Sequence, residues 1–352
     1  MSNLLKEPAM GLKKEIASLS VIGLSKNAGK TTVLNALIRD APEAGVLGIL
    51  SMGVDGEKHD AISGKEKPLI RVRENMLVAT SAQWLNRQPG HWEVIQSCGI
   101  QSVMGEVFIA RAKREGTVLL AGLPSKSGAK RAMELLRRAG AQKILLDGAY
   151  DRRSPSSPQL TDATILVIGA SLDPNFAGVI RKAGEWSLLL RLKACDRFPE
   201  QKAGALALEK KRVVGILRNR IEVLPFPGLF SVRDEGEWLQ KEWQALAISG
   251  ALTDRMLQIF LRSRRAVCII VPDITHLFVS MPVLRRFYKQ GGEIRVLKPI
   301  RLLRVAVNPE SPDGYSFPPG EMKEKIGRLF FPVPVVDVMR DRFEQGGWCD
   351  VL

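Results

Sequence analysis

The stretch SVIGLSKNAGKTTVLNALI, residues 20–38, joins a short apolar run to glycine–lysine–threonine and then to a helical pattern. Residues 17–23 are mostly apolar and predict a short strand. Over residues 31–41 the apolar side chains recur at helical spacing, which predicts a helix with one face packed on a sheet. The segment therefore predicts a strand, a glycine-containing loop and a helix in direct succession.

The loop between this strand and helix has the residue types of a phosphate-binding loop. The usual spacing is glycine, four residues and then Gly-Lys-Ser/Thr, whereas five residues separate Gly23 from Gly29 here. Gly29 permits tight curvature, and the N–H groups from Lys26 to Thr31 would form a concavity for a polyphosphate. The dipole of a helix beginning near Lys30 would add to the attraction. The alternative is an incidental glycine turn that caps a helix.

A role follows for each polar residue of this loop if it holds a nucleotide. Lys30 is predicted to reach the β- and γ-phosphate oxygens as a catalytic residue, and the Thr31 hydroxyl to ligate Mg²⁺. Thr32 is placed to donate to the α-phosphate. The predicted cofactors are ATP and Mg²⁺. The predicted nucleotide-binding residues of the loop are Gly23, Ser25, Lys26, Asn27, Ala28, Gly29, Lys30, Thr31 and Thr32.

Acidic residues follow two other predicted strands. In KILLDGAYD, residues 143–151, three apolar residues run straight into Asp147. A carboxylate at the C-terminal end of a strand faces the ligand crevice of an open parallel sheet, and Mg²⁺ prefers such hard oxygen ligands. Asp147 is therefore predicted as a catalytic residue that ligates Mg²⁺ or orients water; a capping aspartate is the alternative. Asp55 and Glu57 are further candidate metal ligands, with a polar turn as the alternative.

The order of elements predicts an α/β fold. Strands alternate with helices of ten to fifteen residues, which favours a doubly wound, mostly parallel sheet of P-loop NTPase type with an inserted or smaller lobe. The predicted parts are a nucleotide-binding part over 1–171, an insertion or small lobe over 172–245, and a C-terminal part over 246–352 that completes the fold. Residues 68–86 are expected to form a hairpin leading into a helix, and residues 293–309 one strand.

The chain is basic, with 52 Lys and Arg against 37 Asp and Glu and a formal net charge of +15. Such a charge attracts nucleic acid, phosphorylated ligands or an acidic partner protein; the alternative is a generally basic, solvated surface. No helix-turn-helix spacing, zinc finger or aromatic RNA-binding signature accompanies it, so nucleic acid is not an expected partner. Ten cations fall within residues 261–305: Arg262, Arg264, Arg265, Arg285, Arg286, Lys289, Arg295, Lys298, Arg301 and Arg304.

The remaining composition excludes several classes of protein. Hydrophobic residues make up 45% and charged residues 25% of the 352 residues, as in ordinary globular proteins. The four cysteines stand singly, which argues against a zinc site or a disulfide framework. The N-terminus lacks the pattern of a secretory signal, and no apolar run approaches the ~20 residues that span a bilayer. We therefore expect a cytoplasmic location and no membrane association.

The spacing G-x5-G-K-T in GLSKNAGKT resembles that of dethiobiotin synthetase and the cobyrinic-acid amidating enzymes, a branch of the P-loop proteins. The segment RLLRVAVNPESPDG, residues 301–314, is similar to the late strand of dethiobiotin synthetase, where an asparagine reads the adenine edge. Asn308 is the matching position, and the absence of an NKxD-type guanine motif from the sequence also favours adenine. Asn219 is a rival for this role, and a simple Asn-Pro turn at Asn308 is the alternative.

Several phrases together resemble one narrower family. They are VIGLSKNAGKTTVLNALI, GVDGEKHDAISGKEKPLIRV, LLDGAYDRRS, DATILVIGAS, SGALTD, VPDITHLF and VAVNPESPDGYSF. The set is similar to the P-loop subunit assigned as a reactivase of lysine 5,6-aminomutase, an enzyme dependent on adenosylcobalamin and pyridoxal phosphate. The resemblance implies an ATPase that exchanges damaged cobalamin or remodels the aminomutase, beside a second ATPase subunit resembling the mismatch-repair MutS family. Residues 172–245 lie outside the resemblance.

Two other functions remain open from the sequence. One is a dethiobiotin synthetase-like ligase, in which the γ-phosphate of ATP activates a small carboxylate. Ser125, Lys126 and Ser127 of the segment LPSKSG would then line the substrate pocket, with an ordinary strand-to-helix loop as the favoured alternative. The other is a scaffold that binds a nucleotide without turning it over.

Overall fold

The computed structural model describes residues 16–41, 45–53, 69–148, 160–229 and 241–341. In chain order the strands are β1 (Ser18–Gly23), β2 (Leu47–Met52), β3 (Ile70–Val72), β4 (Leu77–Ser81), β5 (Trp92–Ser102), β6 (Gly105–Ala112), β7 (Gly116–Val118), β8 (Gly122–Leu123), β9 (Lys143–Gly148), β10 (Ala163–Gly169), β11 (Lys193–Ala194), β12 (Val214–Leu217), β13 (Arg220–Val223), β14 (Ala245–Ala247), β15 (Leu252–Thr253), β16 (Cys268–Val271), β17 (Leu277–Phe278), β18 (Glu293–Val296), β19 (Leu302–Asn308) and β20 (Val335–Asp337).

The α-helices of the described residues connect these strands. They are α1 (Lys30–Asp40), α2 (Ala82–Leu85), α3 (Lys126–Arg138), α4 (Phe176–Leu190), α5 (Phe198–Lys210), α6 (Asp254–Ser263), α7 (Met281–Lys289) and α8 (Pro319–Phe330). None of these described helices has both the length and the apolar character needed to cross a bilayer.

The first sheet has ten strands and is mostly parallel. Its order is β20-β19-β10-β1-β9-β2-β4-β6-β5, with β8 beside β2. β1 pairs in parallel with both β9 and β10, and the antiparallel pairs are β4 with β6 and β5 with β6. From β1 the chain continues to β2 on one side, whereas from β9 it crosses to β10 on the other. β1 therefore lies at a topological switch point, where open parallel sheets bind ligands.

Helices cover both faces of this sheet because successive strand residues point to opposite sides. Leu19 and Val21 of β1 belong to the apolar core under α1, together with Leu34 and Leu37 of that helix. Ile22 belongs to a second core on the opposite face, which it shares with α4 and α8. α3 packs over β2, β4 and β9 in a third core. The layers thus follow from the alternation of apolar residues in the central strands.

The second sheet has six strands, in the order β11-β18-β16-β14-β12-β13. Its first four strands are parallel, and β12 and β13 form an antiparallel hairpin at the edge. α6 and α7 share an apolar core with one face of this sheet, and α5 shares one with the other. β3 with β7 and β15 with β17 form separate two-stranded pairs.

Some strands and their pairing partners differ from those expected from the sequence. The predicted C-terminal part, 246–352, contributes to both sheets: β16 and β18 to the second, and β19 and β20 to the first. Residues 293–309 form two strands, because Pro299 lacks an N–H group and disfavours a continuous ladder. Residues 68–86 contain β3 and β4, which pair with β7 and β6 rather than with each other. The β5–β6 hairpin was not predicted.

Candidate functional site

The loop after β1 turns sharply before α1 begins. Leu24 N donates to Val167 O at 3.0 Å, which continues the pairing with β10 by one residue. Asn27 has φ 60° and Gly29 has φ 106°, both in the left-handed region. Val33 N donates to Gly29 O at 3.1 Å, so the helix starts directly from the second of these residues. Left-handed residues within a turn are typical of backbone concavities that gather N–H groups around an anion.

The end of β10 holds this loop from one side. A Cβ atom on Gly169 would lie 2.7 Å from Ala28 Cα, and Ala28 itself is fully buried. Ser171 Oγ donates to Lys26 O at 2.9 Å and lies 2.9 Å from Ser25 Oγ. The sequence analysis did not single out Gly169 or Ser171, although both fall in the GAS that ends the predicted strand. They fix the loop in place through a backbone approach and two hydroxyl contacts.

Asn308 lies against the start of α1. It ends β19, and a Cβ atom on Gly29 would lie 3.2 Å from Asn308 Nδ2. Its Oδ1 accepts a hydrogen bond from Glu310 N at 3.2 Å. The rival Asn219 lies in the hairpin between β12 and β13 of the second sheet, where its N–H group donates to Gln244 Oε1. The structure thus brings Asn308, and not Asn219, to the loop.

Asp147 lies near the C-terminal end of β9, beside the strand that leads into the loop. Its register partners are Val21 of β1 and Ser51 of β2. The residue is half-buried and its Oδ1 atom is inaccessible to solvent. Lys30 begins α1 immediately after the loop. A carboxylate, a lysine and the loop backbone therefore come from the ends of two adjacent parallel strands at the switch point.

Asp147 and Thr31 are the predicted metal ligands that fall within the described residues, whereas Asp55 and Glu57 lie outside them. No group of three or more His, Cys, Asp or Glu among the described residues could hold a metal ion alone. Mg²⁺ at nucleotide sites is usually bound by one or two protein groups together with phosphates and water. The carboxylate and hydroxyl oxygens of Asp147 and Thr31 are donors of the kind that such a shared site requires.

The segment LPSKSG lies at the same edge of the sheet. β8 pairs with β2, which in turn pairs with β9, and Gly53 N donates to Leu123 O at 3.1 Å. Ser125 caps α3 by accepting a hydrogen bond from Gly128 N at 3.0 Å, and its Oγ lies 3.0 Å from Ser127 Oγ. The hydroxyl of Ser125 therefore has a structural role as a helix cap.

Comparison of the chain with protein-family models, with curated proteins and with solved structures found no match.

Proposed function

We propose that this chain is a P-loop protein that binds ATP with Mg²⁺ and hydrolyses it. The observation that carries the proposal is the placement of the glycine-bounded loop at the C-terminal end of the central strand β1, with Asp147 on one neighbouring strand. Asn308, two strands away on the other side, lies against the same loop. A parallel sheet binds its ligands at this point, and the sequence GKT supplies the residues that phosphates require.

Each residue of the site has a defined task in this proposal. Main-chain N–H groups between Lys26 and Thr31 bind phosphate oxygens, and the N-terminal end of α1 adds its dipole. Lys30 binds the β- and γ-phosphates and stabilises the charge that develops during transfer. Thr31 and Asp147 would hold Mg²⁺, which neutralises phosphate charge when bound. Asp147 also orients the water that attacks the γ-phosphorus, and the bond to the β–γ bridging oxygen breaks to give ADP and phosphate.

Asn308 is proposed to read the base. A side-chain amide has both a donor and an acceptor, and it can therefore pair with the 6-amino group and a ring nitrogen of adenine. Its position against Gly29 at the end of β19 supports this role, since the base would lie beyond the α-phosphate on that side of the loop.

Removing Lys30 tests the phosphate site. We expect Lys30→Ala to abolish Mg-ATP binding by calorimetry, because Lys30 is the residue proposed to bind the β- and γ-phosphates. Lys26→Ala is the matched control: it removes the same charge from the same loop but leaves the main-chain N–H in place, and we expect it to retain binding. Equal binding by the wild type and Lys30→Ala would overturn the site.

Asp147→Asn tests the hydrolytic step separately. We expect near-normal ATP binding and a turnover reduced about 100-fold, which is the usual scale for the loss of one charge-stabilising group. Wild-type turnover in both Asp147→Asn and Lys30→Ala would remove the catalytic assignment.

We further propose that the hydrolysis cycle acts on another protein. The sequence resemblance to the aminomutase reactivase indicates an adenosylcobalamin-dependent aminomutase as the client and a MutS-like ATPase subunit as a partner. The second sheet has its own apolar core, and its surface is available for contacts with a client protein outside the nucleotide site. Stimulation of the ATPase rate by purified aminomutase would support this client; an unchanged rate would count against it.

A ligase of the dethiobiotin synthetase type is the second candidate, because the LPSKSG segment lies at the same sheet edge as Asp147. In that reaction a substrate carboxylate attacks the γ-phosphorus, forming an acyl phosphate and releasing ADP. Stimulation of ADP release by a small carboxylate, with no effect of the aminomutase, would favour the ligase. Binding without turnover under both conditions would favour a nucleotide-binding scaffold.

A further inference from the structure

The basic segment 261–305 is divided by the fold into cations that are neutralised and cations that are not. Arg295 projects from β18 and pairs with Glu200 at 2.8 Å and with Glu293 at 3.1 Å. Six others lie in the last turn of α6, directly after it and along α7, and each is exposed. We call these six the α6–α7 basic face: Arg262, Arg264, Arg265, Arg285, Arg286 and Lys289.

Packing of the two helices brings these cations together. α6 buries Leu257 and Phe260 in the core of the second sheet, and α7 buries Leu284 and Phe287 in the same core. Gln290 Nε2 donates to the carbonyl oxygen of Leu261 at 3.2 Å and so joins the C-terminal ends of the two helices. The outward positions of both helices therefore lie side by side.

The α6–α7 basic face lacks compensating charge. Within the described part of the chain, none of the six cationic side chains has a hydrogen-bonding or ion-pair partner. Asp273 is the single acidic residue between 255 and 292, and it is fully buried against His276. Six adjacent cations without counter-charges repel one another. The negative ends of the two helix dipoles offset part of this repulsion but not all of it.

Two other surface helices pair a cation with an acidic residue of the same helix. α4 has Arg181 with Glu185 at 3.2 Å, and α8 has Lys325 with Glu321 at 2.7 Å, both one helical turn apart. α3 also has exposed cations, including Arg137 and Arg138 in its last turn. The α6–α7 basic face differs because it gathers six exposed cations from two packed helices.

We propose that the α6–α7 basic face docks an acidic surface of a partner protein. Five of the six cations are arginines, and Tyr288, with 39% of its surface exposed, lies between them on α7. Arginine and tyrosine are the residues that protein–protein interfaces favour, whereas lysine is depleted there. Arginine also forms bidentate pairs with carboxylates. The proposal goes beyond the proposed function and requires no nucleotide.

The face fits nucleic acid less well. Helices bind phosphate at their N-terminal ends, whereas this face is formed around two C-terminal ends. Proteins that bind single strands use several aromatic side chains as stacking platforms, and within the described part of this face Tyr288 stands alone. These features favour carboxylates over phosphates as the opposing charge.

Binding of a labelled poly-glutamate peptide, followed by fluorescence anisotropy without nucleotide, tests the proposal. The variant Arg262→Gln/Arg285→Gln/Arg286→Gln removes three charges from the face. The control Arg137→Gln/Arg138→Gln/Arg220→Gln removes three exposed charges elsewhere. We expect the first variant to weaken binding about tenfold, since each exposed pair contributes a fraction of a kcal/mol, and the control to weaken it less than about twofold.

The outcomes distinguish an acidic protein partner from nucleic acid and from a membrane. Equal weakening by both variants would overturn the proposal, because net charge alone would then explain binding. It is also overturned if the wild type fails to bind poly-glutamate. Tighter binding to duplex DNA or to phosphatidylserine vesicles, lost in the Arg262→Gln/Arg285→Gln/Arg286→Gln variant, would replace the protein partner by nucleic acid or a membrane. Thermal melting of each variant establishes that it is folded, and none of these results depends on ATP binding.

Discussion

Gly169 lies where the end of β10 meets the loop, and its lack of a side chain is what permits the contact. Its backbone has φ −102° and ψ 158°, which any residue can adopt, so the constraint is spatial. A Cβ atom would lie 2.7 Å from Ala28 Cα, closer than real contacts allow, and the loop would have to move.

We therefore predict that Gly169→Ala weakens Mg-ATP binding about tenfold in calorimetry, corresponding to about 1.4 kcal/mol. The melting temperature should fall by several degrees as well. Gly327→Ala is the matched control, because a Cβ atom there meets nothing within 4 Å and α8 gains a better helix former. Unchanged affinity in Gly169→Ala would mean that the loop does not depend on this contact.

His91 is a buried histidine whose charge state affects folding. Burial lowers the pKa of His91, and the positive charge of Arg114 lowers it further. The ring also packs closely on Gly116, since a Cβ atom added there would lie 2.8 Å from His91 Nε2. Because the unfolded chain takes up a proton at His91 more readily than the folded chain, stability must be lost as pH falls below the ordinary histidine value of about 6.5.

Urea unfolding between pH 8 and pH 5 measures this effect. We predict that the midpoint of the wild type falls more steeply with acid than that of His91→Gln, which cannot be protonated. Parallel pH profiles for the two proteins would show that His91 does not contribute.

Residues of the site differ in how far the sequence alone could identify them. Lys30 and Thr31 follow a local motif, and Asp147 follows an apolar run, so a short window of sequence is sufficient for each prediction. Ser171 contacts Ser25 across 146 positions of chain. No local pattern encodes that distance, because it depends on which strand pairs with β1. The contact between Ser171 and the loop can therefore be identified only from the three-dimensional structure.

At the level of elements, α3 depends on its N-terminal cap, Ser125, which is also a candidate for lining a substrate pocket. Ser125 Oγ accepts a hydrogen bond from Gly128 N at 3.0 Å, and loss of such a cap costs about 1 kcal/mol. We predict that Ser125→Ala is destabilised by this amount in urea unfolding. Ser125→Asp should retain the stability of the wild type, since aspartate caps equally well.

The ATPase rate of these two variants then bears on the ligase alternative. If Ser125 acts as a cap alone, both variants keep a normal rate per folded molecule. A large loss of rate in the fully stable Ser125→Asp would instead indicate that the hydroxyl contacts a substrate.

The sequence predicted helices and strands correctly where a local apolar pattern defines them. It did not predict which strands pair, because pairing depends on distant parts of the chain. β1, α1, β9 and β10 have apolar patterns of the right length, with turns or glycine at their ends, and they lie where expected. The assignment of β18 and β19 to separate sheets depends on their partners, β16 and β10. Likewise, the sequence of β3 and β4 predicts a hairpin, but β3 pairs with β7 and β4 pairs with β6. Strand pairing is a property of the whole chain.

At the scale of the whole molecule, α4 connects the two sheets. It follows the end of β10 and leads into β11, so one helix joins the loop's support to the second sheet. Near its C-terminal end Ser187 Oγ donates to Leu329 O at 2.6 Å, and Arg191 Nη2 donates to Leu329 O at 2.8 Å. These hydrogen bonds join the C-terminal end of α4 to α8, which packs on the first sheet. Each sheet nevertheless has apolar cores of its own.

Separate cores imply that the second sheet can be weakened without affecting the first. Arg295 and Glu200 have side chains that are 13% and 5% exposed and pair at 2.8 Å. Removing Arg295 leaves the buried carboxylate of Glu200 paired at 2.7 Å with Arg197, whose side chain is 67% exposed. This loss of a buried pairing partner costs up to about 3 kcal/mol. We predict that Arg295→Met lowers hydrogen-exchange protection in β16 and β18 while β1, β9 and β10 keep theirs. The double variant Arg295→Met/Glu200→Gln should recover part of the loss, because it removes both charges. A uniform loss of protection across both sheets would mean instead that the molecule unfolds as one cooperative unit.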